Sequence, residues 1–404
     1  MIRFLHAADL HLGMRITRFE PDVCNRIVEA RFAALENLRK VAKQRDVQFI
    51  LIAGDIFDDL QVEKSVASRA FAMLEGSANS CPVYLIPGNH DPLVPGGVWD
   101  RDPWLREQPH LRVHLLREAK PERVPGLPVV IFPCPLTQRR STENPTAWIR
   151  NHPRMDRSVI RIGLAHGSLQ VLPNLPLDDH LIPADAADQL DLDYLALGHW
   201  HRRHTYRARD GAERTAYSGT HEAMRFPGDD DALGWSSYSP DGDADRFASD
   251  GFGSALLVTI DAPRALLQIE PVETGWLRWT AETLDITGAR PGEIINRYAS
   301  REDTLRTILR LRLEGVTTPR EALRLEELRQ VITGRYHPGS VLDDSRLRVQ
   351  PSEEQLREVV GEGILRRVLD RLNGEIALGD AGTQHVAQHA LRWLYRLAWE
   401  EQPL

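Results

Sequence analysis

The chain has 404 residues, of which 42% are hydrophobic and 27% are charged, and its formal net charge at pH 7 is −8. This composition is typical of a globular protein with two or three domains, and no apolar run approaches the roughly 20 residues that span a bilayer, so we expect no membrane association. The negative charge disfavours a protein that coats nucleic acid non-specifically, but it is compatible with an enzyme whose carboxylates bind metal ions.

The N-terminal segment begins with an apolar run that is interrupted by His6 and Asp9. A signal peptide needs an uninterrupted apolar segment here, so the run predicts a β-strand and a cytoplasmic protein. The three cysteines, Cys24, Cys81 and Cys134, lie far apart and form no C-x-x-C pair. Their spacing favours reduced, structural thiols over disulfides or a zinc site.

Residues 1 to about 200 alternate between short aliphatic runs and longer amphipathic stretches, which predicts a layered α/β domain. The amphipathic stretches Asn25–Arg45 and 61–78 have apolar residues at helical spacing. Six aliphatic runs are predicted as strands, namely Ile2–Ala8, Gln48–Ala53, Val83–Ile86, Val129–Phe132, Val159–Ala165 and Tyr194–Leu197.

After residue 200 the sequence predicts more strands of the same domain at 203–225 and 253–273. They are separated by an acidic insert at 226–253, rich in Gly, Asp and Ser, which predicts a mobile surface loop. A lid or a partner-contact loop is the alternative function of this insert. We therefore place the boundaries of the first domain at 1–274.

Residues 275–350 predict a small β-α-β-α-β domain that begins with an alternating strand at Trp276–Ile286. The remaining residues, 351–404, predict a helical region, which opens with the capping-box pattern Ser352–Gln355. Its apolar stripe and aromatic residues are candidates for contact with a partner or with a second copy in a homodimer, and packing within the chain is the alternative. These candidates are the stripe from Leu356 to Leu372, Trp393 and Trp399.

Five apolar runs in the N-terminal half end in side chains of the kind that bind metal ions. In chain order these side chains are Asp9 and His11, Asp55, Asn89 and His90, His166, and His199 and His201. The carboxyl ends of neighbouring strands in an open α/β sheet face one crevice, so we expect the five groups to converge. Gly54, Gly88 and Gly198 precede the polar residues and predict turns in which the backbone approaches closely.

The donor set contains three oxygen donors and four imidazoles, apart from His90. The oxygen donors are Asp9, Asp55 and Asn89, and the imidazoles are His11, His166, His199 and His201. Seven ligands exceed the needs of one tetrahedral zinc and fit two ions that share a carboxylate. A mixed set without thiolates suits Mn²⁺, Fe²⁺ or Zn²⁺, and two such ions promote displacement at phosphorus. The predicted chemistry is phosphoester hydrolysis.

His90 lies between Asn89 and Asp91 in the stretch IPGNHD. Adjacent residues in a turn point apart, so we assign Asn89 to metal binding and His90 to proton transfer. An imidazole held by a carboxylate, here that of Asp91, is a good general acid for a leaving oxygen. The alternative is that His90 is an eighth ligand.

At these positions the sequence resembles the calcineurin-like metallophosphoesterase superfamily, whose motifs D-x-H, G-D-x-x-D, G-N-H-D, H and G-H-x-H are matched in order. The runs FLHAADLHLG, GDIFD and GHWH resemble those of SbcD-like DNA repair exonucleases, and residues 1–273 are similar in layout to the YhaO-type branch. The resemblance implies a four-layer αββα sandwich, a two-metal site usually activated by Mn²⁺, and a small α/β C-terminal capping domain. It also implies DNA as the substrate and an SbcC-like ABC-type ATPase with a long coiled coil as the partner.

The resemblance further implies a role for each site residue. It makes Asp55 the ligand shared by both ions and His90 the general acid, while Asp58 supports a ligand. It assigns Asp9, His11 and His201 to one ion, and Asn89, His166 and His199 to the other. Candidate phosphate contacts, with a solvated surface as the alternative, are Arg139, Arg140, Arg202 and Arg203.

Three functions remain open at this point. They are a metal-dependent DNA nuclease, acting as an exonuclease or an endonuclease, a hydrolase of small phosphomonoesters or cyclic nucleotides, and a non-catalytic scaffold. The complete donor set with His90 disfavours the scaffold. The long region that follows residue 274 favours the nuclease, because a small-molecule esterase needs no such platform.

Overall fold

The computed structural model describes residues 1–17, 19–76, 81–101, 112–171, 175, 177–227, 251–349, 363–378, 380, 383–384, 386–387, 390 and 394. These residues belong to two compact units, Met1–Thr280 and Ala281–Leu404. Within the described ranges no helix has the length and apolarity needed to cross a membrane. Most of the acidic insert, the capping-box pattern at 352–355, Trp393 and Trp399 lie outside the described residues.

The described residues of the first unit form two β-sheets. Strands of the first sheet are β1 (Ile2–Ala7), β2 (Phe49–Ala53), β3 (Val83–Ile86), β4 (Val113–Leu115), β11 (Phe252–Ile260) and β12 (Gln268–Asp285), of which the residues up to Thr280 belong to this unit. Strands of the second are β5 (Glu122–Arg123), β6 (Val129–Pro133), β7 (Ile160–His166), β8 (Tyr194–Gly198), β9 (Arg203–Arg207) and β10 (Glu213–Ser218). The strand orders are β12–β11–β1–β2–β3–β4 and β5–β6–β7–β8–β10–β9.

The strands that lead to the predicted site residues run parallel to their neighbours. In the first sheet β1, β2 and β3 are mutually parallel, with Ala7 opposite Ile52 and Ala53 opposite Ile86. In the second sheet β7 and β8 are parallel, with His166 opposite Gly198. Each set of carboxyl ends therefore lies along one edge of its own sheet.

The two sheets pack face to face through a continuous apolar core. Phe4 of β1 and Phe49 of β2 stack with ring centroids 4.9 Å apart, and Tyr194 of β8 meets Phe4 edge-on across the interface. Burial of such rings removes a large apolar area from water, which is the main stabilising contribution to a core of this kind.

Helices cover the outer faces of both sheets. On the first sheet, α1 (Pro21–Gln44) and α2 (Lys64–Glu75) bury Leu35 and Phe71 against Leu5 and Ile50, and the short α3 (Val98–Arg101) adds Trp99. On the second sheet, a 3₁₀ turn at Ala147–Asn151 and α4 (Ala186–Gln189) cover Phe132 and Leu195. The predicted sandwich of two sheets between helical layers is confirmed.

The bounds of several elements of the first unit differ from the sequence prediction, and two of these differences have a clear physical reason. The strands predicted separately at 253–273 and Trp276–Ile286 are wrong in their bounds, because β12 is one strand of 18 residues that runs through position 274. The first helix begins four residues earlier than predicted, at Pro21, a residue whose fixed φ suits the first helical position. Val23 of this first turn is buried and lies four residues before Ile27, so the apolar stripe begins earlier than predicted.

The second unit contains α5 (Pro291–Ala299), β13 (Thr307–Thr317), α6 (Pro319–Arg335), β14 (Val341–Val349) and α7 (Ile364–Leu378). Strands β13 and β14 are parallel, and α5 and α6 bury Tyr298 and Leu328 against Leu311. Thr318 and Glu321 form a capping box at the start of α6. The helices and strands predicted between 291 and 349 are thus found in their predicted order.

Candidate metal centre

The predicted metal-binding side chains follow the carboxyl ends of five strands, which belong to both sheets. Asp9 and His11 follow β1, Asp55 follows β2, and Asn89 follows β3 in the first sheet. In the second sheet His166 is the last residue of β7, and His199 and His201 follow β8. The expectation of one crevice in a single open sheet is therefore wrong in detail, because the groups meet where the strand ends of two sheets come together.

The loops that carry these residues have an unusual backbone. Asp9, His11, Asp55 and His199 have φ values of 54°, 41°, 53° and 101°, in the left-handed region that L-residues rarely adopt. Each such residue costs on the order of 1–3 kcal/mol, and it persists because the surroundings hold it in place. Here the loops after β1 and β2 are joined by hydrogen bonds from Asp9 N to Gly54 O (3.1 Å) and from His11 N to Asp55 O (3.0 Å).

Two of the predicted glycines allow the close approach that the site requires. A Cβ atom at Gly54, whose φ is 88°, would lie 2.4 Å from His166 Nδ1. A Cβ atom at Gly88 would lie 2.2 Å from Asp55 Oδ1. Any residue other than glycine at either position would displace a site residue. The predicted close approach of the backbone at these two turns is therefore confirmed.

Asp9, His11 and His201 form the first cluster of donor atoms. One ligand atom of each lies within 4.8 Å of the others, and His11 Nε2 lies 3.0 Å from His201 Nε2. His11 Nδ1 donates a hydrogen bond to Asp58 Oδ1 (2.9 Å). A neutral ring that carries its proton on Nδ1 has a lone pair on Nε2, so His11 directs a lone pair at the cluster.

The second cluster forms around His166, which is fully buried. His166 Nδ1 donates to the carbonyl oxygen of Ala53 (2.8 Å), which leaves the lone pair of the neutral ring on Nε2. This atom lies 2.7 Å from Asn89 Oδ1 and 3.3 Å from Asp55 Oδ2. Because a carboxylate only accepts hydrogen bonds, the contact with Asp55 is favourable only when a cation, either a proton or a metal ion, lies between them.

The pKa values of the site residues also indicate that the site favours a cation. Burial lowers the pKa of His166, but the carboxylates of Asp55 and Asp9 outweigh burial and raise it to about 9. Burial raises the pKa of Asp55, yet the His166 and His11 rings outweigh it and hold that pKa below its usual range. Two buried carboxylates together with imidazole lone pairs fit divalent ions such as Mn²⁺, Fe²⁺ or Zn²⁺.

His90 lies at the rim of the site, where 43% of its side chain is exposed. Its Nδ1 donates to the main-chain oxygen of Asp58 (2.9 Å), while both carboxylate oxygens of Asp91 accept from the backbone amides of Phe57 (3.0 Å) and Gly88 (2.7 Å). The prediction that Asp91 holds the His90 ring is therefore wrong. Asp91 is buried and fixes the turn, because its oxygens are needed by two otherwise unpaired amides.

Two residues of the site escaped the sequence analysis. Arg31 of α1 is buried and donates to the main-chain oxygens of Leu10 (3.0 Å from Nε) and Asp9 (3.5 Å from Nη2), so it supports the loop that carries Asp9. Asp179 accepts a hydrogen bond from His199 Nε2 (3.1 Å). In the sequence, Arg31 could have been noticed only as a charged residue on the apolar stripe of a predicted helix. The segment around Asp179 has no hydrophobic periodicity that would indicate a role.

The arginines predicted to contact phosphate lie in two places. Arg139 Nη2 lies 3.4 Å from Asp59 Oδ2, and Arg140 Nη1 lies 3.5 Å from Asp178 Oδ2. Both arginine side chains are exposed. Arg202 and Arg203 line a cavity of about 240 Å³ next to His201. The other residues that line this cavity include Thr220, Phe252 and Ser254.

Comparisons with known proteins show which family this chain belongs to. The model of the calcineurin-like phosphoesterase family matches residues 2–203. The uncharacterized metallophosphoesterase YhaO of Bacillus subtilis is 30% identical over 247 residues, which cover 57% of this chain and 53% of that protein. The SbcD component of the SbcCD nuclease of Rhodobacter capsulatus is 31% identical over 94 residues, or 22% of each chain.

Among solved structures, a purple acid phosphatase from yellow lupin seeds superposes with a TM-score of 0.42 and 14% identity, over 68% of this chain and 51% of that one. The matched region thus spans about half the length of YhaO and of the phosphatase, and less of the SbcD component. All five motifs of the candidate site fall within residues 2–203. The chain belongs to the calcineurin-like phosphoesterase family.

Proposed function

We propose that this protein is a two-metal phosphodiesterase that cuts DNA. The observation that carries the proposal is the convergence of seven donor side chains, one of them Asp55, from five strand ends of two sheets. Membership of the family supports phosphoester hydrolysis with two divalent metal ions. The relative named as part of a nuclease supports DNA as the substrate.

We assign Asp55 as the ligand shared by both ions. Its Oδ2 lies 3.7 Å from His11 Nε2 and 3.3 Å from His166 Nε2, between the two clusters of donor atoms. On this assignment Asp9, His11 and His201 hold one ion, and Asn89, His166 and His199 hold the other. Mn²⁺ is the proposed metal, with Fe²⁺ and Zn²⁺ as alternatives, and when bound the pair polarises the phosphate and activates water.

His90 is the proposed general acid for the leaving oxygen. Its Nδ1 is committed to the main-chain oxygen of Asp58, which leaves Nε2 for proton transfer, and its exposure lets a substrate reach it. Asp58 has a different task, since its carboxylate holds His11. A carboxylate that accepts from a metal-binding histidine fixes the ring and strengthens its binding of the ion.

A polymeric substrate needs cationic contacts beyond the metal ions. Arg202 and Arg203 line the same cavity as the proposed ligand His201, and Arg139 and Arg140 are exposed on the surface, which supports a role for these arginines. We therefore propose that DNA phosphates bind at these arginines. An SbcC-like ABC-type ATPase is the proposed partner and the cytoplasm the proposed location, and the SbcD component among the relatives supports the partner.

The test is a comparison of substrates with Mn²⁺ present. Linear duplex, single-stranded and hairpin DNA, a cyclic nucleotide and a nitrophenyl phosphodiester are incubated with the protein, with and without the proposed ATPase, across a salt series. We expect DNA cleavage that weakens with salt, since phosphate contacts make binding salt-dependent. Efficient turnover of the cyclic nucleotide without cleavage of any DNA would establish the small-molecule esterase instead.

A further inference from the structure

Asp179 and three neighbouring side chains form a chain of hydrogen bonds that ends on a proposed metal ligand. His199 Nδ1 lies 3.0 Å from Asn89 Oδ1, and its Nε2 lies 3.1 Å from Asp179 Oδ1. Ser168 Oγ donates to Asp179 Oδ2 (2.5 Å), and Trp200 Nε1 donates to Ser168 Oγ (2.9 Å). Ser168 is completely buried, so the chain is anchored away from solvent.

We infer that Asp179 is a positioning residue that orients His199 and so sets the affinity of the ion held by Asn89, His166 and His199. This inference rests on the proposed function only for the existence of that ion. A carboxylate accepts but cannot donate, so Asp179 keeps the His199 proton on Nε2 and the lone pair on Nδ1. Nδ1 is the atom that faces Asn89, and a fixed tautomer strengthens binding of a metal there.

The direction of each hydrogen bond in this chain is determined. Indole Nε1 can only donate, so the Ser168 hydroxyl accepts from Trp200 and must point its own proton at Asp179. Trp200 is held by stacking on Tyr217, with centroids 4.7 Å apart and the planes 11° from parallel. The carboxylate therefore has a fixed orientation before any ion binds.

The segment that carries Asp179 is fixed at its backbone as well. Ser141 N donates to Asp178 O (2.8 Å), and His180 N donates to Ser141 O (3.1 Å). Asp179 accepts a hydrogen bond from His199 just as Asp58 accepts one from His11 in the other cluster. Each proposed ion would thus have one histidine whose distal nitrogen is held by a carboxylate.

The test is a Mn²⁺ titration of the full chain by calorimetry, for wild type, Asp179→Asn, Asp179→Ala and Asp58→Asn. Asp178→Asn is the matched control, because this neighbouring carboxylate pairs with Arg140, whereas His199 Nε2 pairs with Asp179. We expect Asp179→Ala to weaken one of the two ions about 10–100-fold, the usual effect of removing such a partner. Asp179→Asn, which keeps one accepting oxygen, should lose less, and Asp58→Asn should weaken the other ion.

A second readout follows the proton itself. Imidazole ¹⁵N shifts of His199 should show the Nε2-protonated tautomer in wild type and a mixture in Asp179→Ala. Wild-type affinity for both ions in the two Asp179 variants, with an unchanged tautomer, would overturn the inference even if the protein cuts DNA. A selective loss of one ion would support it even if no DNA is cut, whereas a wild-type protein that binds no Mn²⁺ would overturn both proposals.

Discussion

His11 Nε2 and His201 Nε2 lie 3.0 Å apart, although the two residues are 190 positions apart in the sequence. His11 follows β1 of one sheet and His201 follows β8 of the other, so the contact joins the two sheets at their carboxyl ends. With its proton on Nδ1, His11 presents a lone pair here, and a cation is the natural partner of two converging imidazole nitrogens. Bound metal should therefore hold the two sheets together at this edge.

The first prediction separates a shared ligand from a supporting carboxylate. Asp55→Ala should bind fewer than two ions and lose metal-dependent hydrolysis, because Asp55 is proposed to contact both. Asp58→Ala should keep both ions and lose roughly 10–100-fold in affinity or rate. Elemental analysis after dialysis against Mn²⁺ measures the number of bound ions per chain. Equal numbers in wild type and Asp55→Ala would rule out the assignment of Asp55 as the shared ligand.

The second prediction separates proton transfer from metal binding. His90→Gln should retain both ions while the rate of phosphodiester hydrolysis falls roughly 10²–10⁴-fold, the range of a positioned general acid. A nitrophenyl ester, whose leaving group needs no proton, should lose much less. His166→Gln is the contrasting variant, since it should lose an ion. Loss of an ion from His90→Gln would make His90 an eighth ligand.

The third prediction concerns the turn at Gly54. Gly54→Ala should lower both the free energy of unfolding and Mn²⁺ affinity, because the new methyl group would lie 2.4 Å from His166 Nδ1. Gly211→Ala is the matched control, since its φ of 79° is similar but its added methyl group would meet no atom within 4 Å. The control should cost about 1–2 kcal/mol, the penalty of a left-handed backbone alone. Urea denaturation and Mn²⁺ titration of both variants test the difference.

The fourth prediction is a pH dependence of stability caused by Glu222. This side chain is fully buried and accepts from the backbone amides of Trp276 (2.5 Å) and Leu277 (3.2 Å), and burial raises its pKa to about 8. Between the ordinary value of 4.5 and 8 the folded state therefore holds a proton that the unfolded state has released. The proton on Glu222 therefore adds to the free energy of unfolding. This addition is complete below pH 4.5 and is lost as the pH rises through about 8.

Glu222→Gln cannot release this proton, so its free energy of unfolding should fall less between about pH 5 and pH 8.5 than that of wild type. The difference should be on the order of a few kcal/mol, since one pKa unit corresponds to about 1.4 kcal/mol. Denaturant titrations with a chelator present exclude effects of metal binding. Exposed Glu143→Gln is the control, and parallel slopes for wild type and Glu222→Gln would refute the prediction.

Much of the fold and the donor set could be predicted because local patterns report them. Val83–Ile86 was predicted with its correct bounds, since its four residues lie between Pro82 and Pro87 and a polar cluster follows. The partners of the site residues could not be predicted in this way. Asp179 is 20 positions from His199, and Asp91 turns away from its neighbour His90 because two amides need its oxygens. Such pairings depend on tertiary distances that no spacing in the sequence encodes.

The distance along the chain between Asp9 and His201 has a consequence for biosynthesis. Translation proceeds at roughly 5–20 residues per second, so about 10–40 s separate the appearance of the first and last proposed ligands. Until His201 leaves the ribosome, the nascent chain has at most part of its donor set and only some of the strands of the second sheet. A chain whose synthesis stops before that point should be unable to hydrolyse phosphoesters.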